Sequence, residues 1–179
     1  MELFKSKIEF DTDLMISEIN QHFYTGSVSN DNLKMENNHQ SNIQFSRLKY
    51  FNESVLPIFE GCEFENIFLF FAQPSGGLFW HKDGGNHYRR FIFPISSNSE
   101  CVNWFKINDK EESMIYDNGF IYWFDTQNIE HTVVNNGNST RVAFLFDVIY
   151  KEDKFKNILD NNFDKHEVFD RIVTKKIFI

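Results

Sequence analysis

Residues 132–150 read TVVNNGNSTRVAFLFDVIY, and this stretch decides the fold class. Two apolar runs, 132–135 and 140–150, are rich in the β-branched and aromatic residues that favour strands. The Asn, Gly and Ser residues between them tolerate positive φ, so this segment predicts a turn. We therefore expect the two runs to form antiparallel strands joined as a hairpin.

The same pattern extends back along the chain as far as Gly61. Short apolar runs alternate with Gly, Asn, Asp and Ser, which is typical of an antiparallel β domain. About eight strands result, the number found in jelly-roll and cupin-like double sheets. The predicted strands are Glu65–Gln73, Leu78–Lys82, Arg89–Ser96, Val102–Ile107, Ser113–Tyr116, Phe120–Phe124, Thr132–Asn135 and Thr140–Tyr150.

Helices are predicted on both sides of this β region. Apolar residues recur at helical spacing from Asp13 to Phe23, and a shorter helix is expected over Glu53–Phe59. Residues 26–41 are polar and predict a surface loop, whereas the chain becomes helical again from Glu152. The length of 179 residues suits one domain. We divide it into a helical N-terminal support (1–62), a β core (63–150) and a C-terminal helix and tail (151–179).

The charge balance excludes two classes of partner. The chain has 18 Lys and Arg against 26 Asp and Glu, a net charge of −8. Such an acidic surface repels phosphate backbones and anionic lipid, so we expect neither a nucleic-acid nor a membrane partner. Cys62 and Cys101 fit no zinc or disulfide framework, and the N-terminus lacks the continuous apolar stretch of a signal peptide. A cytoplasmic location is expected, and the sequence does not indicate the oligomeric state.

The segment Trp80-His81-Lys82-Asp83-Gly84 contains two candidate metal ligands. His81 and Asp83 are two residues apart, so in an extended segment both side chains lie on one face and can reach one ion. A ferrous oxygenase centre uses two imidazoles and one carboxylate and leaves its other positions open. His131, at the start of a predicted strand, is the candidate for the second imidazole.

Arg141 is the candidate for an anion site. It stands ten residues after His131, at the start of a strongly apolar strand. If alternation points it inward with Ala143 and Leu145, its buried guanidinium needs an anion and can pair with a ligand carboxylate through two hydrogen bonds. The structural alternative is a salt bridge to an internal acid such as Asp125.

Three further residues near this region are weaker candidates for substrate contact. Trp80 is expected to border a pocket, and Asn86 and His87 either contact substrate or complete loop hydrogen bonds. His22, His39 and His166 fall outside the β core, and we assign them no functional role.

Taken together, these motifs resemble a known family. The segment Trp123-Phe124-Asp125-Thr126 leading to His131, followed by Asn135 and residues 141–147, is similar to the distal motif of the aspartyl/asparaginyl β-hydroxylases. The first half is similar as well, since His81-x-Asp83 is followed by Arg90 nine residues after the first histidine. The resemblance spans about residues 77–148 and implies an Fe(II)- and 2-oxoglutarate-dependent oxygenase with a double-stranded β-helix fold.

The resemblance also implies roles for individual residues. His81, Asp83 and His131 would bind Fe(II), Arg141 would hold the remote carboxylate of 2-oxoglutarate, and Arg90 would assist at a carboxylate. Arg89 competes with Arg90 for that role, because both faces of their strand are apolar and alternation does not decide between them.

The implied reaction is hydroxylation of an amino-acid or peptidyl side chain, with succinate and CO2 as co-products. Asp83 favours hydroxylation over halogenation, because a halogenating relative would have a small residue at that position. The main alternative is a non-catalytic, cupin-like module that binds a metal or another ligand. A purely structural or assembly protein would leave the spacing of the motifs to coincidence.

Overall fold

The computed structural model describes residues 1–23, 38–42, 47–85 and 88–166. Two α-helices, α1 and α2, flank the β strands, and a short π-helical turn and a 3-10 helix precede β3. In chain order the elements are β1 (Leu3–Ser6), α1 (Thr12–Phe23), β2 (Asn38–Asn42), the π-helical turn (Phe51–Val55), the 3-10 helix (Leu56–Phe59), β3 (Glu63–Ala72), β4 (Tyr88–Ser96), β5 (Cys101–Ile107), β6 (Lys110–Met114), β7 (Tyr122–Phe124), β8 (His131–Asn135), β9 (Arg141–Ile149), α2 (Glu152–Asn162) and β10 (Phe163–His166).

The strands form two antiparallel sheets. The larger sheet has the order β10-β1-β7-β4-β9-β3-β2, and the smaller has the order β6-β5-β8. The segment between β3 and β4 runs alongside β8 and makes single bridges at Gly77 with Val134 and at His81 with His131. This segment extends the smaller sheet and places His81 opposite His131.

Strand β9 shows how the two layers are separated. It lies between β3 and β4, and its residues alternate between the two faces of the larger sheet. Phe144, Phe146 and Val148 pack against the helices, whereas Ala143 belongs to a second cluster that includes Phe105 and Met114 of the smaller sheet. The face that looks toward the smaller sheet carries Arg141, so the functional candidates lie between the sheets.

Phenylalanine fills the layer between the larger sheet and the helices. The fully buried ring of Phe146 lies 5.7 Å from Phe51, 5.2 Å from Phe59 and 5.6 Å from Phe91, measured between ring centroids. Large aromatic rings bury much apolar area per residue, and edge-to-face pairs add to that stabilisation. The abundance of Phe, 22 residues in the chain, is thus explained in part by core packing. Within the described ranges, no helix is long and apolar enough to span a membrane.

The predicted fold class is confirmed, since the protein is mainly β with helices beside the sheets. Helix α1 and strands β3, β4, β5, β8 and β9 form at the predicted places, and α2 begins at Glu152 as expected. The division into three segments and the single domain stay predictions.

The predicted hairpin between residues 132–135 and 140–150 is wrong. Strand β8 pairs with β5 in the smaller sheet, whereas β9 pairs with β3 and β4 in the larger one. The connection is a corner between sheets. It is fixed by the buried side-chain amide of Asn135, which donates to the carbonyl oxygens of Ala72 at 2.9 Å and Ser139 at 2.9 Å.

Other predicted elements differ in type or extent. Residues 78–82 form only an isolated bridge at His81, not a continuous strand. The predicted helix over Glu53–Phe59 is a π-helical turn followed by a 3-10 helix, with Pro57 near the start of the latter. Proline lacks the N–H that an α-helix interior needs, so the helical ladder cannot continue unchanged there. Strand β6 lies earlier than the predicted 113–116, and β7 is shorter than 120–124.

Three strands were not predicted at all. β1 and β10 pair with each other across almost the whole chain, and β2 begins within the stretch 26–41 that is predicted as a loop and ends one residue beyond it. Each is four or five residues long, too short for periodicity to reveal. The rest of that loop up to residue 37 and the C-terminal tail from residue 167 lie outside the described residues.

Gly77 allows the segment that carries His81 to approach β8 closely. A Cβ atom at this position would lie 2.8 Å from the carbonyl oxygen of Val133 and 3.4 Å from the Cα atom of Val134. Both are backbone atoms of a strand, which cannot move aside as a flexible side chain would. The absence of a side chain is therefore a condition for the pairing of residues 77–81 with β8.

We expect Gly77→Ala to destabilise the protein by about 1–3 kcal/mol, the usual cost of forcing an extra methyl group into a packed site. Gly84→Ala is the matched control, because among the described residues its Cβ would meet nothing within 4 Å. Denaturant unfolding of both variants measures the difference. Equal stability of the two variants would contradict the close approach at Gly77.

Candidate metal centre and pocket

His81 and His131 face each other as a hydrogen-bonded antiparallel pair. The backbone N–H of His81 donates to the carbonyl of His131 at 3.0 Å, and the N–H of His131 donates back at 2.9 Å. Residues directly opposite in such a pair project their side chains on the same face. The two imidazole rings accordingly lie 4.4 Å apart between centroids. Two residues that are 50 positions apart in sequence thus form one site.

The backbone also sets the tautomer of both rings. Nδ1 of His81 lies 2.7 Å from the carbonyl oxygen of Phe79, and Nδ1 of His131 lies 2.9 Å from that of Ile129. A carbonyl oxygen only accepts hydrogen bonds, so in each neutral ring Nδ1 carries the proton. Both Nε2 atoms are left with a lone pair for a metal ion, which is how outer hydrogen bonds commonly prepare histidine ligands.

Asp83 supplies the third candidate ligand. Its backbone N–H donates to the carbonyl of Thr126 at 2.9 Å, which holds this end of the segment in place. Its Oδ1 accepts a hydrogen bond from Arg90 at 2.8 Å and lies 3.9 Å from Nε2 of His81, whereas its Oδ2 is buried and has no hydrogen-bond partner among the described residues. A buried carboxylate oxygen without a partner is costly, so this atom is suited to a cation.

The three side chains form a group that fits a divalent metal ion. One potential ligand atom from each of His81, Asp83 and His131 lies within 4.8 Å of the others. In the part of the chain that the structure describes, no other His, Cys, Asp or Glu joins this group. Two nitrogens and one oxygen are the donor set that non-haem iron takes in oxygenases.

The electrostatics of the site keep His131 ready to bind a metal. Burial lowers the pKa of His131 well below its ordinary value, and the neighbouring His81 lowers it further. The ring of His131 is therefore neutral at neutral pH. A neutral imidazole is the form that coordinates a metal ion.

A cavity of about 560 Å³ opens beside these three side chains, between the two sheets. This volume is in the range of small-molecule sites. Its walls are mainly aromatic and aliphatic, with a few polar groups among them. The lining residues are Phe68, Phe70, Leu78, Phe79, Trp80, His81, Lys82, Asp83, Gly84, Arg90, Ile92, Asn103, Phe105, Tyr116, Phe124, His131, Thr132, Val133, Arg141 and Leu145.

Arg141 lines this cavity as a buried cation. Its side chain is on the same face of β9 as Ala143 and Leu145, and the residue is only 4% exposed. The alternative partner, Asp125, instead accepts hydrogen bonds from Asn128. Among the described residues, Arg141 has no ion pair with any carboxylate. Its guanidinium lies 5.8 Å from the ring of Phe70 and is suited to an anion from outside.

Tyr116 is a polar residue of the cavity that the sequence analysis did not select. Its hydroxyl is buried and has no hydrogen-bond partner among the described residues, and its ring stacks on Tyr122 at 4.2 Å between centroids. Burial raises the pKa of Tyr116, so its hydroxyl keeps its proton. The local sequence gives little indication of a functional role, because Tyr116 stands at the end of a predicted strand, where an ordinary core residue would also be expected.

The structure places Arg90, and not Arg89, at the site. Arg90 faces the cavity and donates hydrogen bonds to Asp83 and to Asp147. Arg89 projects from the opposite face of β4, where its guanidinium lies 4.8 Å from the ring of Tyr150. Asp147 is completely buried, and the sequence analysis gave it no role. The alternation of side chains along β9 could have indicated it, because Asp147 is six residues after Arg141 and therefore lies on the same face of the strand.

The predicted substrate contacts are placed only in part. Trp80 lines the cavity, with the Nζ atom of Lys106 4.5 Å from its ring, whereas Asn86 and His87 lie outside the described residues. His166 is in β10, an edge strand of the larger sheet, away from the lining residues. Cavity-lining Phe79 is 56% exposed, which places an aromatic ring at the surface beside Trp80.

Comparisons with known proteins agree with this architecture. The family model described as "Aspartyl/Asparaginyl beta-hydroxylase" matches residues 32–151. No curated protein matches the sequence significantly.

Solved structures of similar fold have very different sequences. HygX from Streptomyces hygroscopicus, solved with nickel, 2-oxoglutarate and hygromycin B bound, has a TM-score of 0.60 at 8% identity, covering 83% of each chain. A prolyl hydroxylase from Trichoplax adhaerens, in complex with a peptide fragment of the hypoxia inducible factor, has a TM-score of 0.59 at 10% identity, covering 81% of this chain and 80% of the other. A prolyl-4-hydroxylase from Pseudomonas putida has a TM-score of 0.54 at 11% identity, covering 83% and 92%. The predicted double-stranded β-helix is confirmed by these likenesses.

Proposed function

We propose a mechanism from the premise that this chain belongs to the aspartyl/asparaginyl β-hydroxylase family, whose model covers two thirds of it. The protein is an Fe(II)- and 2-oxoglutarate-dependent dioxygenase of the hydroxylase type. Its substrate and the roles of its individual residues are our proposals. The observation that carries them is the convergence of His81, Asp83 and His131 beside a cavity lined by the buried Arg141, which has no carboxylate partner among the described residues.

Nε2 of His81, a carboxylate oxygen of Asp83 and Nε2 of His131 would hold the iron. Both histidine tautomers and the unpartnered Oδ2 atom support this assignment. Bound Fe(II), together with 2-oxoglutarate and dioxygen, would supply the chemistry that oxidises a C–H bond of the substrate. One oxygen atom of dioxygen would enter the substrate as a hydroxyl group, the other would enter succinate, and CO2 would be released.

Three protein ligands favour this function over the alternative of a structural metal module. A structural site closes its coordination with protein groups, whereas a catalytic site keeps positions open. In the described part of the chain no fourth ligand residue joins the group, and the cavity lies directly against it. Open positions on that side suit a chelating 2-oxo acid and dioxygen.

Arg141 would bind the remote carboxylate of 2-oxoglutarate. The guanidinium is buried, lacks a carboxylate partner among the described residues and can donate two parallel hydrogen bonds to an anion. Tyr116 would donate a third, because it lines the same cavity and its buried hydroxyl has no hydrogen-bond partner in the described part of the chain. The surrounding Phe70 and Leu145 exclude water, which strengthens these charged contacts.

The substrate would be an amino-acid or peptidyl side chain presented at the mouth of the cavity. The family description supports this class, and the prolyl hydroxylase from Trichoplax adhaerens was solved with a peptide. Trp80 and the exposed Phe79 offer apolar contact area there. The cytoplasmic location and the absence of nucleic-acid and membrane partners stay predictions from the charge and the N-terminus.

The first test is anaerobic addition of Fe(II) and then 2-oxoglutarate to the purified protein. We expect the visible charge-transfer band of a 2-oxo acid chelated to ferrous iron, and its loss in His81→Ala but not in His166→Ala.

Arg141→Met should weaken 2-oxoglutarate binding by about 100-fold or more while Fe(II) binding persists, because hydrogen bonds to charged groups contribute about 1.5–3 kcal/mol each. Arg47→Met, an exposed arginine, is the matched control. A native protein that binds Fe(II) yet develops no band would favour the non-catalytic module.

Removing only the hydroxyl of Tyr116 tests the second donor. Tyr116→Phe should weaken 2-oxoglutarate binding by about 10- to 100-fold, the effect of one lost hydrogen bond to a carboxylate. Fe(II) affinity and thermal stability should stay unchanged, since the hydroxyl has no protein partner to lose among the described residues. Titration of the charge-transfer band measures the affinity, with Tyr150→Phe as control. If Tyr116→Phe bound 2-oxoglutarate with native affinity, the proposed role of Tyr116 as a donor to the cosubstrate would be wrong.

A further inference from the structure

We propose that Arg90 is a positioning residue that acts through Asp83: its bond to Oδ1 fixes the orientation of this carboxylate, so that the carboxylate binds the metal through one oxygen atom and not through both. Asp147 and Asn66 hold Arg90 in turn. This inference rests on the proposed metal site and goes beyond it, because it explains how a carboxylate with two oxygens would bind through one.

The guanidinium of Arg90 is shared between two carboxylates. Its Nη1 donates to Oδ1 of Asp83 at 2.8 Å, its Nε donates to Oδ1 of Asp147 at 2.8 Å, and its Nη2 donates to Oδ2 of Asp147 at 2.9 Å. The pair with Asp147 is the two-point geometry in which arginine binds carboxylates most specifically. The remaining edge of the guanidinium is thereby aimed at Asp83.

Burial and hydrogen bonds hold Asp147 in its contact with Arg90. It is completely buried, and its Oδ2 also accepts a hydrogen bond from the side-chain amide of Asn66 at 2.9 Å. Both of its oxygens are therefore occupied, and a buried carboxylate without Arg90 would be strongly unfavourable. The role of Asp147 is to fix Arg90, not to bind the metal.

Three neighbouring strands hold this network rigid. Arg90 of β4 lies directly opposite Asp147 of β9, and Asn66 comes from β3, within the irregularity between Phe64 and Ile67. The larger sheet thus carries the network, whereas Asp83 belongs to the segment that extends the smaller sheet. The contact from Arg90 to Asp83 joins the two layers at the metal centre.

The consequence for the metal concerns the number of open positions. A carboxylate that binds through both oxygens would use one more coordination position than a carboxylate that binds through one. The bond from Arg90 to Oδ1 opposes two-point binding and preserves a position for cosubstrate or oxygen. Arg90 is also engaged by protein carboxylates, which argues against the role at 2-oxoglutarate that the resemblance implied.

The test uses Co(II), whose visible absorption reports coordination number and whose binding needs no turnover. The main variant is Arg90→Met combined with Asp147→Leu, which removes Asp147 together with its partner, so that Asp83 is the carboxylate that loses its bond to Arg90. We expect Co(II) affinity to fall by about 10- to 100-fold, as is usual when an outer partner of a metal ligand is lost, and the absorption bands to shift as Asp83 binds through both oxygens.

Two further variants keep the test decisive. Arg89→Met removes an arginine from the opposite face of the same strand and should leave affinity and spectrum native. Arg90→Lys keeps the charge but cannot bond to both carboxylates in the same geometry, so we expect an intermediate loss of affinity with native-like thermal stability. If the double variant fails to fold, Arg90→Lys alone decides.

Either a folded double variant or a folded Arg90→Lys with Co(II) affinity within about twofold of native and an unchanged spectrum would overturn the inference. Failure of the metal site itself is distinguishable from this result. In that case His81→Ala would also leave Co(II) binding of the native protein unchanged, which the positioning role of Arg90 does not predict.

Discussion

The backbone pairing of His81 with His131 is the contact on which the site depends. Two reciprocal hydrogen bonds bring the connection after β3 against the start of β8 and place both imidazoles on one face. Carbonyls two residues before each histidine then fix the tautomers. The candidate metal site is therefore a consequence of strand pairing, since the same backbone geometry sets the position and the tautomer of both rings.

The alternation of side chains along β9 places the other two charged residues of the candidate site, Arg141 and Asp147. One face of this strand is aromatic and packs against the helices, whereas the other carries Arg141 near one end and Asp147 near the other. Arg141, a buried cation with no carboxylate partner among the residues that the structure describes, suits the cosubstrate. Asp147, a buried anion bonded to Arg90 and Asn66, suits a structural role. A period of two residues thus separates the core from the chemistry along a single strand.

The candidate site was largely predictable, because its ligands lie at positions that local spacing reveals. His81 and Asp83 share a face by their separation of two, and the inward direction of Arg141 followed from alternation. The choice between Arg89 and Arg90 did not follow, since residues on both faces of β4 are apolar and only the packed helices distinguish them. Tyr116 and Asp147 escaped notice because their importance comes from contacts with residues distant in sequence.

The fold class was predictable from the sequence, whereas the way in which the strands are connected was less so. The Asn- and Gly-rich turn after β8 has the local chemistry of a hairpin, but it forms a corner between sheets because the side chain of Asn135 bonds to β3 and to the turn itself. Short edge strands such as β1 and β10 depend on each other across the chain and leave no local pattern.

The most direct test is an anaerobic crystal structure of the protein with Mn(II) and 2-oxoglutarate. The predicted result is one metal ion bound by His81, Asp83 and His131, with Asp83 binding through one oxygen alone and the remote carboxylate of 2-oxoglutarate at Arg141. A metal ion with a fourth protein ligand, or a cosubstrate whose carboxylate lies away from Arg141, would contradict this account of the site.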